Sequence, residues 1–150
     1  MLRFKMQWPQ LGLSVQCEAC GKNEAALKVL LDNMPIKTVQ GHEMVGGWMI
    51  RNRCVYMGKH FFDIPAEALD TECMQDAPIG RISLQFPQGN CTEMLVKYDQ
   101  CEDFRSYVPV ANVVEEDLEI LKKVGQLQWK SATRTKEILL VEFIAEDQVI

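Results

Sequence analysis

The side chains whose types and placement could carry chemistry are His42, Glu93, Arg51, Arg53, Trp48 and Tyr98. His42 stands on a segment of strand character, and an imidazole titrates near neutrality, so it is a candidate general base; a hydrogen-bonded structural histidine is the alternative. Glu93 leads into an otherwise apolar strand, where burial would raise a carboxyl pKa and suit it to acid or base work; an exposed strand-end charge is the other reading. Arg51 and Arg53 share one strand face by the period of two. Adjacent guanidinium groups on one face suit a carboxylate that bridges them, or a solvated edge strand. Trp48 could line a ligand pocket and the Tyr98 hydroxyl could orient a substrate, although core packing is the default for both residue types. His60, in Lys59-His60-Phe61-Phe62-Asp63, is a second acid–base candidate with two aromatic neighbours.

Together these residues suggest a division of labour. His42 or Glu93 would move protons, and Arg51 or Arg53 would hold a carboxylate. That scheme requires His42 and Glu93 to approach one cavity, which a closed sheet could arrange. Cys17-x-x-Cys20-Gly21 offers a different chemistry, zinc or redox. A structural zinc site needs four ligands, and no second C-x-x-C or H-x₃₋₅-H accompanies this one, so no metal site is expected. Cys17 also continues an apolar alternation, which points to burial.

The elements that must position these groups alternate in texture. Leu2 to Trp8 and Leu11 to Cys17 have the period of half-buried strands, with Pro9-Gln10 between them. Asn23 is expected to cap a helix that Pro35 closes at Asn33-Met34. Ile36 to Glu43 and Trp48 to Met57 form a hairpin through Gly46-Gly47. Ile64 to Ala77 reads as loop, Arg81 to Phe86 as strand, Pro87-Gln88-Gly89-Asn90 as turn and Thr92 to Tyr98 as strand. A helix is expected from Val113 to Val124 behind Pro109, stopped or kinked by Gly125, and Glu137 to Ile144 is the last strand. Many short strands with two helices make an α+β domain, a barrel or rolled sheet whose ends the helices plug. With no repeat or linker, residues 1–150 read as one domain.

Three stretches carry a resemblance to a known family. The first is Leu30-Leu31-Asp32-Asn33-Met34-Pro35-Ile36-Lys37-Thr38-Val39-Gln40-Gly41-His42. The second is Pro78-Ile79-Gly80-Arg81-Ile82 with Pro87-Gln88-Gly89-Asn90-Cys91-Thr92-Glu93-Met94-Leu95-Val96-Lys97-Tyr98. The third is the late helix near Leu127-Gln128-Trp129. In order and spacing they resemble the small bacterial cyclophilin-like barrel proteins, related to cucumopine and mikimopine synthase. The resemblance implies a cyclophilin-like closed antiparallel β-barrel with two helices. It also implies carbon–nitrogen condensation or cleavage on an amino acid or nitrogen heterocycle, with no organic cofactor. A non-catalytic small-molecule or protein-binding module is the alternative. Prolyl isomerisation fits less well, because Trp48-Met49-Ile50-Arg51 carries its glycines on the wrong side, and a Cys17/Cys20 zinc or redox protein is the remaining reading.

Composition narrows the partners. A net charge of -5 and scattered basic residues argue against nucleic acid, whose binders use a basic face to displace phosphate counterions. No apolar run reaches the roughly 18 residues of a membrane span. The N-terminus lacks the apolar stretch of a signal peptide, so a cytoplasmic protein with its six cysteines as thiols is expected. The expected partner is a small molecule with a carboxylate or amide, with a homo-oligomer left open.

Overall fold

The computed structural model describes residues 1–58, 63–85 and 91–146. Its strands are β1 (Arg3–Trp8), β2 (Leu13–Ala19), β3 (Ile36–His42), β4 (Gly47–Tyr56), β5 (Glu72–Cys73), β6 (Arg81–Leu84), β7 (Cys91–Cys101), β8 (Ser106–Val113) and β9 (Leu139–Ala145). The helices are α1 (Glu24–Asp32) and α2 (Leu118–Lys130), the latter running into a π-helical turn, Ser131–Thr135. The sheet order is β2-β1-β9-β3-β4-β7-β6-β8, and β8 pairs back onto β2. Every pairing is antiparallel, so the chain is a closed antiparallel barrel, with β5 added along β8. Closure leaves the ring without a free edge.

Alternation along each strand sends one set of side chains inward. Phe4, Met6 and Trp8 fill the interior from β1, Ile50 from β4, Met94 and Val96 from β7, and Val141 and Phe143 from β9, all fully buried or nearly so. Helix α1 covers the end where Ile36 pairs with Phe143, burying Ala26, Leu27 and Leu30. Each of those leucines contributes about 1.5–3 kcal/mol by leaving water. Helix α2 covers the opposite end, where Gln128 accepts a hydrogen bond from Gln40 at 3.0 Å, and Gln40 in turn accepts one from Trp8 Nε1 at 2.6 Å. A second, smaller apolar cluster, including Met49, Met74, Leu95 and Tyr107, lies on the outer face of the wall. There the Lys97 ammonium donates to the carbonyls of Met74 and Ala77, both at 2.7 Å, and pins the covering segment down. Among the described residues no helix is long and apolar enough to cross a membrane.

Several expectations need correction. The span 106–113 is a strand, not the approach to a helix, and the helix starts at Leu118 rather than Val113. Pro109 misleads because proline is rare inside sheets. It is tolerated here because β8 shifts register against β6 between Ile82 and Ser83, making Val110 an extra residue beside it. The acidic run Glu115-Glu116-Asp117 marks the true helix start, where carboxylates favour the positive end of the dipole. Asn23 does not cap α1 with its side chain. It adopts a left-handed conformation, and its amide donates to Asp70 O and Pro109 O at 3.0 and 2.8 Å. The Phe86 end of its expected strand, the Pro87–Asn90 turn, His60, Phe61 and Phe62 fall outside the described residues.

Gly125 does not stop α2, which runs on to Lys130. It is packed directly against the barrel, because a Cβ there would overlap the Tyr98 ring. Gly125→Ala is therefore expected to destabilise the fold by about 1–3 kcal/mol through overpacking, against the roughly 1 kcal/mol that alanine gains in helix propensity. Urea denaturation measures the balance; a clear gain in stability would show that α2 does not press on Tyr98.

Candidate functional site

Strand register decides which of the candidate side chains meet. His42 pairs with Ile50, Ile50 pairs with Val96, and Tyr98 lies two residues further along β7, so His42 and Tyr98 both point into the barrel. Arg51 pairs with Leu95, and Glu93 lies two residues before it, so Arg51 and Glu93 point outward. The structure therefore separates His42 and Glu93 by the thickness of the wall. The single cavity expected of them is not formed, because their strands are brought together in the register that turns their side chains to opposite faces.

On the inner side, His42 is closed in. One ring nitrogen, Nδ1, is 2.6 Å from the carbonyl oxygen of Glu43, and the other, Nε2, is 2.6 Å from the Tyr98 hydroxyl. A carbonyl can only accept, so Nδ1 carries the proton and Nε2 accepts from Tyr98. Trp48 and Trp129 complete the surround, with ring centroids 6.0 and 4.8 Å from the imidazole. Burial lowers the His42 pKa below the usual imidazole value, and burial likewise pushes the Tyr98 phenol up. Both groups are thus held neutral. Because the unfolded chain takes up a proton at His42 more readily, stability is expected to be intact above pH 6.5 and to fall as pH drops from 6.5 towards the lowered folded value. Urea midpoints measured across that window should flatten in His42→Gln; an unchanged slope would mean that His42 is not the group responsible.

On the outer side, a charged network lies along β4 and β7. The Glu43 carboxylate accepts from Arg51 Nε at 2.9 Å and from the Val45 amide at 3.2 Å. Burial alone would raise its pKa; the Arg51 hydrogen bonds and the Val45 amide outweigh that and hold it below the ordinary range. The other arm of Arg51 bonds Glu93. Arg51 is thus committed on both sides and locks Glu93 in place. Arg53 reaches the second Glu93 oxygen at only 3.7 Å and its side chain is 64% exposed.

A bulge explains why Arg53 and Glu93 face each other. Register shifts between Asn52 and Val55, so Arg53 and Cys54 together oppose Glu93, with Cys54 at φ 54°. Bulges of this kind re-aim side chains, here into a cleft of about 660 Å³. That volume is ordinary for a small-molecule site. Arg53, Glu93, Arg105 and Tyr107 are among its lining residues. Arg105, 57% exposed, bonds Asp103 through Nε and one terminal nitrogen at 3.0 and 2.8 Å, and Tyr107 donates to Asp103 at 2.6 Å. Burial would raise the Asp103 carboxyl, but the hydrogen bonds from Arg105 and Tyr107 hold it low.

Of the candidate residues, then, Glu93, Arg51 and Arg53 come together, and His42, Tyr98 and Trp48 come together elsewhere. Glu43, Asp103, Arg105 and Tyr107 were missed. Of these only Tyr107 lies in β8; Asp103 and Arg105 precede the strand and join it through the Asp103 hydrogen bonds, which no strand period in the sequence signals. Cys17 is buried in β2 as its alternation predicts, whereas Cys20 sits beyond the strand end with Sγ directed at Lys22 O.

With this geometry in hand, comparison with solved structures finds McbB, determined in complex with tryptophan, at a TM-score of 0.80 over 98% of this chain. The barrel is similar in fold to McbB. Sequence identity is 22%, so the likeness is one of backbone architecture, and the chain spans 46% of the McbB chain. No protein-family model and no curated protein sequence matches.

Proposed function

We propose that the outer cleft is an active site in which an amino acid's amine condenses with a 2-oxo acid. Glu93 would move the protons and Arg53, with Arg105, would hold a substrate carboxylate. The observation that carries this reading is the bulge that presents Glu93 and an exposed Arg53 to the same cleft while Arg51 locks the carboxylate from behind. The resemblance to cucumopine and mikimopine synthase supports the reaction class, and the tryptophan in McbB supports an amino acid as one reactant.

The chemistry is acid–base throughout. As the amine nitrogen bonds to the oxo carbon, the Glu93 carboxylate takes a proton from that nitrogen. The protonated carboxyl gives it to the oxyanion of the adduct, making a hydroxyl. The regenerated carboxylate then takes the second proton from the nitrogen and passes it to that hydroxyl as the carbon–oxygen bond breaks, and water leaves an imine. One group serves both steps because nothing but a proton is transferred. Arg53 neutralises the carboxylate beside the reacting carbonyl, a fixed cation that needs no reorganisation during reaction. In this reading His42 holds Tyr98 against α2 and transfers no proton to substrate.

A thermal-shift screen against amino acids and 2-oxo acids tests the binding claim, since a ligand of the folded state alone raises apparent stability. For a ligand that binds, Arg53→Gln is expected to weaken affinity by about tenfold and to raise KM more than it lowers kcat. An affinity unchanged in Arg53→Gln would place the carboxylate elsewhere.

A further inference from the structure

The far end of α2 holds a second concavity that the cleft chemistry does not use. Where the helix widens into the π-helical turn Ser131–Thr135, Trp129, Lys130, Thr133 and Arg134 line a groove of about 470 Å³. The spacing explains the grouping: Trp129 and Thr133, and Lys130 and Arg134, are each four residues apart and so lie on neighbouring turns. Such turns recur at functional sites because they reset the helical phase. The Thr133 hydroxyl donates to the Trp129 carbonyl at 2.7 Å, fixing the turn beside the indole.

The indole is placed for stacking. It packs on His42 at 4.8 Å and edge-on to Trp48 at 5.3 Å between centroids, and it is only partly buried, so it also contributes to the groove. Among the described residues neither Lys130 nor Arg134 forms a salt bridge, although the chain has 21 acidic residues for 16 basic ones. Cations near a helix C-terminus complement its dipole, which accounts for their charge but not for their flanking an indole at a concavity. We propose that this groove binds a planar aromatic anion, its ring against Trp129 and its carboxylate between Lys130 and Arg134. A guanidinium on a rigid turn and an aromatic face are complementary to the two ends of such a molecule.

The site is separate from the Glu93 cleft, and its test separates the two. Indole-3-acetate, with its neutral isostere indole-3-acetamide, is titrated calorimetrically into the full chain and into Arg134→Gln, Trp129→Leu and Arg53→Gln. Indole-3-acetate should bind the native protein and Arg53→Gln equally, and bind about tenfold more weakly to Arg134→Gln. The acetamide should bind the native protein more weakly than the acetate by a similar factor, and Trp129→Leu should lose binding of both. Arg134 is exposed, so its variant reports on the groove without disturbing the core. Absence of binding to the native protein, affinity indifferent to Arg134→Gln, or loss of binding in Arg53→Gln would each overturn the proposal.

Discussion

Glu93→Gln is expected to lower turnover by about 10²–10⁴-fold, the usual contribution of a positioned acid–base group. The amide keeps the shape of the side chain and can still accept from Arg51, but it cannot carry a proton back and forth. Binding should therefore survive while kcat falls. The thermal midpoint should change little, because Arg51 keeps Glu43 as its anionic partner and the amide preserves the packing. Steady-state rates with whichever amine and 2-oxo acid the screen identifies, paired with a melting curve, check both halves. A variant with native kcat would remove Glu93 from the chemistry.

The largest expected effect on stability is that of Arg51→Met. Arg51 and Glu43 have side chains only 11% and 8% exposed, and removing the cation strands a buried carboxylate. Breaking one member of such a pair costs about 3–5 kcal/mol, more than the net worth of the intact pair. The pH dependence supplies an independent reading. Glu43 has its folded pKa lowered, so its contribution is present above pH 4.5, the ordinary carboxyl value, and is lost as pH falls from there through the folded value. In Arg51→Met that acid-side loss should shrink, since the Glu43 pKa is no longer depressed by a guanidinium. Urea denaturation at a series of pH values measures both the drop and the slope. A loss below about 1 kcal/mol would mean that Glu43 finds water or another partner, of which Arg105 at 3.7 Å is the nearest candidate.

The barrel was legible in the chain because its strands announce themselves by alternation: Leu13, Val15 and Cys17, Ile82 and Leu84, Met94, Val96 and Tyr98. Strand β8 was obscured by one residue, Pro109, whose acceptance depends on a bulge that only the pairing with β6 creates. The site was legible in part for the same kind of reason. The shared face of Arg51 and Arg53 follows from local period. Their shared face with Glu93 depends on the pairing of Arg51 with Leu95 across two strands distant in sequence, and the opposite face of His42 on its pairing with Ile50. Long-range register of that sort is set by the whole ring, and a one-residue slip would have reversed the grouping. The bulge at Arg53 and Cys54 has no local signal either, since neither residue is a glycine, the usual marker of such a kink.

In the proposed reaction protons move on the outer face of the wall, at Glu93, and not on the inner face, at His42. Mass spectrometry of a panel of amino acids mixed with 2-oxo acids and protein tests it directly, by looking for a product equal to the two reactants less one water. Such a product is expected with the native protein and with His42→Gln, and is expected to be lost in Glu93→Gln. A product that persists in Glu93→Gln and disappears in His42→Gln, or no product from any pair in the panel, would contradict it.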